Sequence, residues 1–295
     1  MIAVPAEFAS NVIRSGGDVG RQWLADLPQL IDECCVRWNL TIDGVPLHGH
    51  LGLVLPVRQR GDPPRSSVLK VSLAKEQTGM EARALAVWDG RGAVRLHASS
   101  PDRGALLLER LDGRRSLANL DLGASLPLIG QLLNRLAVPA PPGFPLLSDV
   151  AARLIDDIPP RWEQSSRPFS RALMDRTCGL ARELGPGAGN RLVHWDLHDN
   201  NVMAGEREPW LAIDPMVVTG DLEYGAAPAL LRSLDRISSP VDFKRHLAAL
   251  IDAADLDPER TRGWATIRLV DYWLWALSIG LTEDPVRCAT VIDWL

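Results

Sequence analysis

Residues 191 to 215 constrain this chain more than any other stretch. They read Arg-Leu-Val-His-Trp-Asp-Leu-His-Asp-Asn-Asn-Val-Met-Ala-Gly-Glu-Arg-Glu-Pro-Trp-Leu-Ala-Ile-Asp-Pro. An apolar pair, Leu192-Val193, delivers six polar side chains: His194, Asp196, His198, Asp199, Asn200 and Asn201. A polar turn follows, and a second apolar run from Trp210 to Ile213 ends on Asp214. Two consecutive β-segments with these ends predict that two acids and an amide converge.

Asp196 and Asn201 stand in the D-x-x-x-x-N spacing of a kinase catalytic loop, and Asp214 stands where the strand after such a loop presents a magnesium ligand. A transferred phosphoryl group carries dispersed negative charge, so the chemistry needs positioning and a cation more than covalent help. Magnesium prefers hard oxygen ligands, which Asn201 and Asp214 supply. Asp196 then accepts or orients the proton of an attacking hydroxyl, and His194 holds the loop backbone from two residues away. A rival reading takes His194 and Asp196 as part of an iron-binding facial triad. It needs a distant third ligand, for which His246 is the one downstream candidate, and it leaves Asp214 unexplained. An isolated D-x-x-x-x-N is a common solvated loop; the second strand ending on Asp214 decides for the kinase.

His-Trp-Asp-Leu-His-x-x-Asn-Val followed by Glu-Arg-Glu-Pro-Trp-Leu-Ala-Ile-Asp-Pro resembles the aminoglycoside/hydroxyurea antibiotic-resistance kinase family, within it the streptomycin 6-phosphotransferases. The resemblance covers nearly the whole chain. It implies an α+β, protein-kinase-like bilobal fold, with a small antiparallel β-rich N-lobe and a larger, mainly helical C-lobe. It also implies ATP and Mg2+ as cofactors and an aminoglycoside-like small-molecule hydroxyl acceptor. Met216, Val217, Asp199 and Asn200 depart from the residues usual at those points of the family, without removing a catalytic atom.

Composition sets outer limits. The chain has 295 residues, 46% apolar and 23% charged, ordinary for a globular protein with one large or two modest domains. Lys+Arg 32 against Asp+Glu 37 gives −5, with no basic block, so nucleic acid is not the expected partner. Cys34, Cys35, Cys178 and Cys288 form no C-x-x-C, and reduced thiols in a cytoplasmic protein are expected. No apolar run reaches membrane-spanning length, and the oligomeric state is not readable. The ten tryptophans read as core or pocket-wall residues.

Along the chain, residues 7 to 39 read as helix, broken at Gly16-Gly17. Short antiparallel strands follow at 40 to 42, 51 to 57 and 67 to 73. The turn Pro46-Leu-His-Gly-His-Leu-Gly52 is a hairpin by its residues alone; its position suggests a loop over nucleotide phosphates, with Gly49 and Gly52 permitting close backbone approach. Lys70 lies in an apolar strand. The functional reading makes it the partner of the ATP phosphates, held by a carboxylate of the helix over 74 to 88. Glu81 shares that helix's inward face with Leu85 and Trp88; Glu76 is the alternative. Strands are expected at 93 to 97 and 105 to 111. The resemblance makes 109 to 113 the interlobe hinge, with adenine bound through the backbone at Glu109 and Leu111, so the expected domains are 1-108, the hinge 109-113, and 114-295.

Beyond residue 113 the pattern is helical: 124 to 136, 150 to 158, 168 to 184, 241 to 254 and 260 to 281. A flexible break is expected at 185 to 189. Asp221 is expected to brace the catalytic loop or to cap the next helix, and His198 to support the site. Glu223, Asp271, Glu283 and Asp284 are candidate carboxylates for a guanidinium-bearing acceptor. The reading is an ATP-dependent O-phosphotransferase acting on streptomycin; hydroxyurea or another alcohol is the alternative acceptor. A nucleotide-binding module without catalysis and the iron-dependent oxygenase are the alternatives of other classes.

Overall fold

Between residues 40 and 109 short apolar runs build strands, and the central ones bury Leu53, Leu55, Val57, Leu69, Val71 and Leu107. The computed structural model describes residues 4–295. They form two compact units: one runs to Asp112 and takes in Gly205–Arg207, and the other comprises Gly113–Ala204 and Glu208–Leu295.

The first unit opens with α1 (Ala6–Trp38), whose stripe of Phe8, Val12, Trp23, Leu27, Ile31 and Cys34 is buried. The break expected at Gly16-Gly17 is a kink inside this helix, where Gly17 has φ 54 and ψ −127. Asn39 ends the helix in the left-handed region, as residues with a short polar side chain tolerate. Next come β1 (Leu40–Ile42), β2 (Leu47–His48), β3 (Gly52–Gln59), β4 (Arg65–Ser72), α2 (Lys75–Trp88), β5 (Leu96–Ser100) and β6 (Ala105–Glu109). The sheet is antiparallel in the order β1-β3-β4-β6-β5, with β2 hydrogen-bonded to β3. Leu53, Leu55 and Val57 of β3 and Leu69 and Val71 of β4 share one apolar cluster with the α1 stripe. Each such side chain contributes about 1.5–3 kcal/mol by leaving water. The strand expected at 93 begins only at Leu96; Ala93 and Val94 are buried ahead of it, and its register against β6 shifts between Leu96 and Ala98.

The second unit begins in β7 (Asp112–Ser116), which the sequence reading passed over. Asp-Gly-Arg-Arg-Ser has no buried side and therefore no alternation to read. α3 (Leu122–Leu136), α4 (Leu147–Gln164) and α5 (Arg171–Leu184) follow. α4 runs through Pro159-Pro160 because its buried stripe of Leu147, Ala151, Leu154 and Ile158 continues to Trp162. The expected flexible break is a 3-10 turn at Gly185–Gly187. It is packed: a Cβ on Gly185 would lie 2.8 Å from the Ala151 Cβ. Four short strands come next, β8 (Arg191–His194), β9 (Val202–Ala204), β10 (Leu211–Ala212) and β11 (Val217–Gly220). They form two small sheets, β10-β9-β7 and β11-β8. α6 (Ala227–Ser233), α7 (Pro240–Ala254), α8 (Pro258–Ser278) and α9 (Glu283–Trp294) complete the unit; α9 was not separated in the sequence reading. α4, α5 and α8 bury Ile158, Cys178, Trp264, Ile267 and Leu274 in one cluster with Val193 of β8 and Val218 of β11. The strands that carry the polar segment are thus anchored in a helical core. All four cysteines are free thiols, and burial pushes the pKa of Cys34 up to about 11 and that of Cys288 up to about 12. No described helix is long and apolar enough to cross a membrane.

Candidate active site

The loop from 195 to 201 is held at both ends by backbone pairing. β8 pairs with β11 in the register His194↔Val217, and the Trp195 amide donates to the Met216 carbonyl at 2.9 Å. The Ile213 amide donates to the Asn201 carbonyl at 2.9 Å. These bonds set Asn201 against the segment that ends in Asp214. Asp214 has φ 52, a left-handed conformation that a non-glycine residue adopts at a cost and that often marks a functional position.

His194 is buried, 1% exposed. Its Nδ1 accepts the Asp196 amide at 3.3 Å, and its Nε2 lies 3.2 Å from the Ile213 carbonyl. The ring thus ties the loop to the Asp214 segment from two residues away, as the sequence suggested. Asn201 Nδ2 donates to the Asp196 carbonyl at 2.9 Å and approaches Asp196 Oδ2 at 3.4 Å. That leaves Oδ1 as the Asn201 atom suited to a cation. The carboxyl of Asp196 is raised above the usual carboxylate range by burial; His198, Arg268 and Arg232 pull it back down. His198 accepts the Asn200 amide through Nδ1 at 3.3 Å and so shapes the turn without leaving the loop.

The iron-binding alternative fails on this geometry. Both ring nitrogens of His194 face backbone partners, and His246 faces Asp242 and Arg245 on α7. Among the described residues, no group of three or more His, Cys, Asp or Glu side chains is placed to hold a metal. An Asp/Asn oxygen pair is another matter: Asn201 Oδ1 and the Asp214 carboxylate are hard donors of the kind magnesium takes.

In the first unit, Lys70 Nζ contacts both carboxylate oxygens of Glu81, at 2.8 Å and 2.7 Å. Glu81 is 2% exposed, while the alternative, Glu76, is exposed at the start of α2. Gly52 lies against the lysine stem, since a Cβ there would be 3.4 Å from Lys70 Cε. Gly49 closes the β2–β3 hairpin by donating its amide to the Gly52 carbonyl at 2.9 Å. Glu109 ends β6 and accepts from the Arg95 amide and from Arg207 Nη2, each at 3.0 Å. Leu111 follows, half-buried.

A sequence model of the aminoglycoside/hydroxyurea antibiotic resistance kinase family matches residues 37–280. The chain belongs to that family. Streptomycin 6-kinase of Streptomyces griseus is 39% identical over 287 residues, covering 95% of this chain and 93% of that protein. Hydroxyurea phosphotransferase of Kitasatospora aureofaciens is 38% identical over 299 residues, covering 100% of this chain and 86% of that protein. The crystal structure of the aminoglycoside phosphotransferase APH(4)-Ia superposes with a TM-score of 0.62 at 15% identity, covering 90% of this chain and 99% of that one. The fold is protein-kinase-like, as the resemblance implied. This family member is a small-molecule kinase: its donor is a nucleotide and its acceptor a hydroxyl-bearing small molecule.

Around Asp196 the kinase has a small pocket lined by Ala227, Pro228, Leu231, Arg232, Arg268, Leu269 and Tyr272. Two guanidinium groups flank the carboxylate, and three of the four carboxylates expected to meet a cationic acceptor have partners within the chain. Asp271 accepts Arg161 Nη1 at 2.7 Å, Asp284 accepts the Tyr272 hydroxyl at 3.0 Å, and Glu223 accepts the Asp257 amide at 3.2 Å. Glu283 is exposed in the first turn of α9. Arg161 is 110 positions from Asp271 and Asp257 is 34 from Glu223, separations that hide these pairings from a linear reading. Asp221 also needs correction. It makes no side-chain cap; it accepts from the Gly189 amide at 2.8 Å, from Trp264 Nε1 at 2.7 Å and from Arg260. It braces the approach to β8, not the loop itself. Asp199, a departure from the family pattern, contacts Arg236 at 3.3 Å.

The sequence reading missed Arg232, Arg268 and Tyr272. Arg268 lies with its guanidinium carbon 4.5 Å from the centroid of the Trp195 ring, a cation–π contact. A signal existed: Arg268, Tyr272 and Trp275 stand at i, i+4 and i+7 on α8, one face of a helix.

Proposed function

We propose that this kinase transfers the γ-phosphoryl group of ATP to a ring hydroxyl of streptomycin. The carrying observation is the 39% identity to a streptomycin 6-kinase across 95% of the chain. In this reading Asp196 takes the proton of the acceptor hydroxyl as its oxygen bonds to the γ-phosphorus and the bond to the β-bridging oxygen breaks. Its burial and its raised pKa support a base role, because a stronger base accepts that proton more readily. Asn201 and Asp214 would hold magnesium, which supplies positive charge to the phosphate oxygens. Arg232 and Arg268 stand beside Asp196, suited to the dispersed charge of a transferring phosphoryl group. Lys70, gripped by Glu81, would hold the α- and β-phosphates, with Gly49 and Gly52 admitting backbone near them. The segment 109 to 113, with Glu109 and Leu111, would present its backbone to adenine. His194 and His198 support the loop, and Asp221 the approach to its first strand.

The test is streptomycin-dependent ATP consumption, with the phosphate located by mass spectrometry. Asp196→Asn should lower kcat by about 10²- to 10⁴-fold and leave ATP binding within about twofold. Full turnover by this variant would remove the base assignment. The 38% identity to a hydroxyurea phosphotransferase supports a second arm with hydroxyurea as acceptor; turnover there and none with streptomycin would move the assignment to hydroxyurea.

A further inference from the structure

The pocket beside Asp196 is walled by Tyr272, and Tyr272 does not end there. Its ring stacks on Trp275, centroids 5.3 Å apart and planes 28° apart. Trp275 is 46% exposed, although ten tryptophans in a chain with this much core would ordinarily be hidden. The Tyr272 hydroxyl is fastened to Asp284, which fixes the inner ring of the stack. An open indole therefore continues the wall of the Asp196 pocket outward into solvent. The carboxylates nearest this wall are spent on partners of their own chain: Asp271 on Arg161 and Asp284 on Tyr272. Arg232 and Arg268 stand beside Asp196 at the inner end, and Arg268 also lies 3.7 Å from Asp271. Asp271 and Asp284 thus come to a cationic acceptor already partnered, whereas the indole face of Trp275 is open.

We infer that the Tyr272–Trp275 stack is the acceptor-recognition subsite, taking a planar guanidinium or cyclitol ring face of the acceptor against the open indole while its hydroxyl enters the pocket beside Asp196. Guanidinium-on-indole contact is chemistry this chain already uses twice, in Arg268 over Trp195 at 4.5 Å and Arg167 over Trp162 at 5.5 Å. The contact holds the acceptor before and during transfer alike, so it acts on affinity and leaves kcat alone. It also separates acceptors: hydroxyurea has neither a guanidinium nor a ring to lay on the indole.

The inference rests on the streptomycin reading for its ligand, and the experiment separates the two. Streptomycin binding is measured by calorimetry and streptomycin turnover by ATP consumption, on the full-length wild type, Trp275→Ala and Trp275→Phe. Trp275→Ala should weaken streptomycin binding about 3- to 30-fold and raise its KM alike, with the KM for ATP and kcat unchanged. Trp275→Phe should recover most of the loss, which a folding defect would not allow. Equal streptomycin affinity in wild type and Trp275→Ala, or no binding by the wild type, overturns the subsite. Turnover with no change in Trp275→Ala overturns the subsite and leaves the function standing. Binding that depends on Trp275 without any turnover keeps the subsite and removes streptomycin as the acceptor.

Discussion

His194 gives the catalytic loop an acid limit whose size follows from its surroundings. The Asp196 amide donates to Nδ1, so Nε2 carries the hydrogen directed at the Ile213 carbonyl. A proton on Nδ1 would aim a second N–H at the Asp196 amide and put a charge into an apolar surround. Burial therefore brings the pKa down from 6.5 to about 4, against the opposing pull of the Ile213 carbonyl and of Asp214. The unfolded chain binds a proton here below pH 6.5 and the folded chain does not until about pH 4. Stability is thus undiminished above the unfolded pKa and falls as the pH drops toward the folded one. At about 1.4 kcal/mol per unit, the loss accumulates to about 3 kcal/mol. Urea unfolding of wild type and His194→Gln, measured from about pH 7 to about pH 4.5, isolates this contribution as the difference between the two curves. The variant should be the less stable at neutral pH, by about 1–3 kcal/mol for each backbone group left without its partner. The gap should close as the pH falls. A gap that stays constant across that range would refute the reasoning, because the imidazole would then not be excluding a proton in the folded state.

Glu81→Gln leaves Lys70 without its charged partner in a largely buried position, 14% and 3% of the two side chains being exposed. It should cost about 3 kcal/mol or more in thermal or urea unfolding and raise the KM for ATP. Gly104 has φ +66, and a Cβ there would collide with the Ser72 carbonyl oxygen. Gly104→Ala should therefore lose about 1–3 kcal/mol, while Gly49→Ala, with nothing within 4 Å of its Cβ, should unfold within about 0.5 kcal/mol of wild type. Asp221→Asn keeps an acceptor for Gly189 but removes the charge facing Arg260. It should lower stability by about 2 kcal/mol while kcat, measured well below the melting temperature, stays near wild type.

The parts legible in the sequence are those whose chemistry is written at short range. Asp196, Asn201 and Asp214 lie within 19 positions, on β-segments whose apolar residues announce them. Lys70 and Glu81 are 11 apart, on a strand and the helix after it, where the period of each element says which way the side chain faces. The β7 strand was illegible because none of its side chains is buried, and alternation is a signal of burial. The surroundings of the candidate acidic residues were hidden for a different reason. How open a carboxylate is to a ligand depends on the partners the fold has already given it, and those are set by tertiary packing. Asp271 and Arg161 are 110 positions apart and meet only because α4 and α8 pack in one core. Read alone, Asp271 has only Arg268 three residues before it; in the fold Arg161 joins that pair, and the neighbouring helix face presents Tyr272 and Trp275. The charge of a pocket is a property of pairs, so Asp271 counted alone misstates the surface next to Asp196. The periodicity of α8 shows which residues share a face, and the packing of α4 against it shows which of their charges survive.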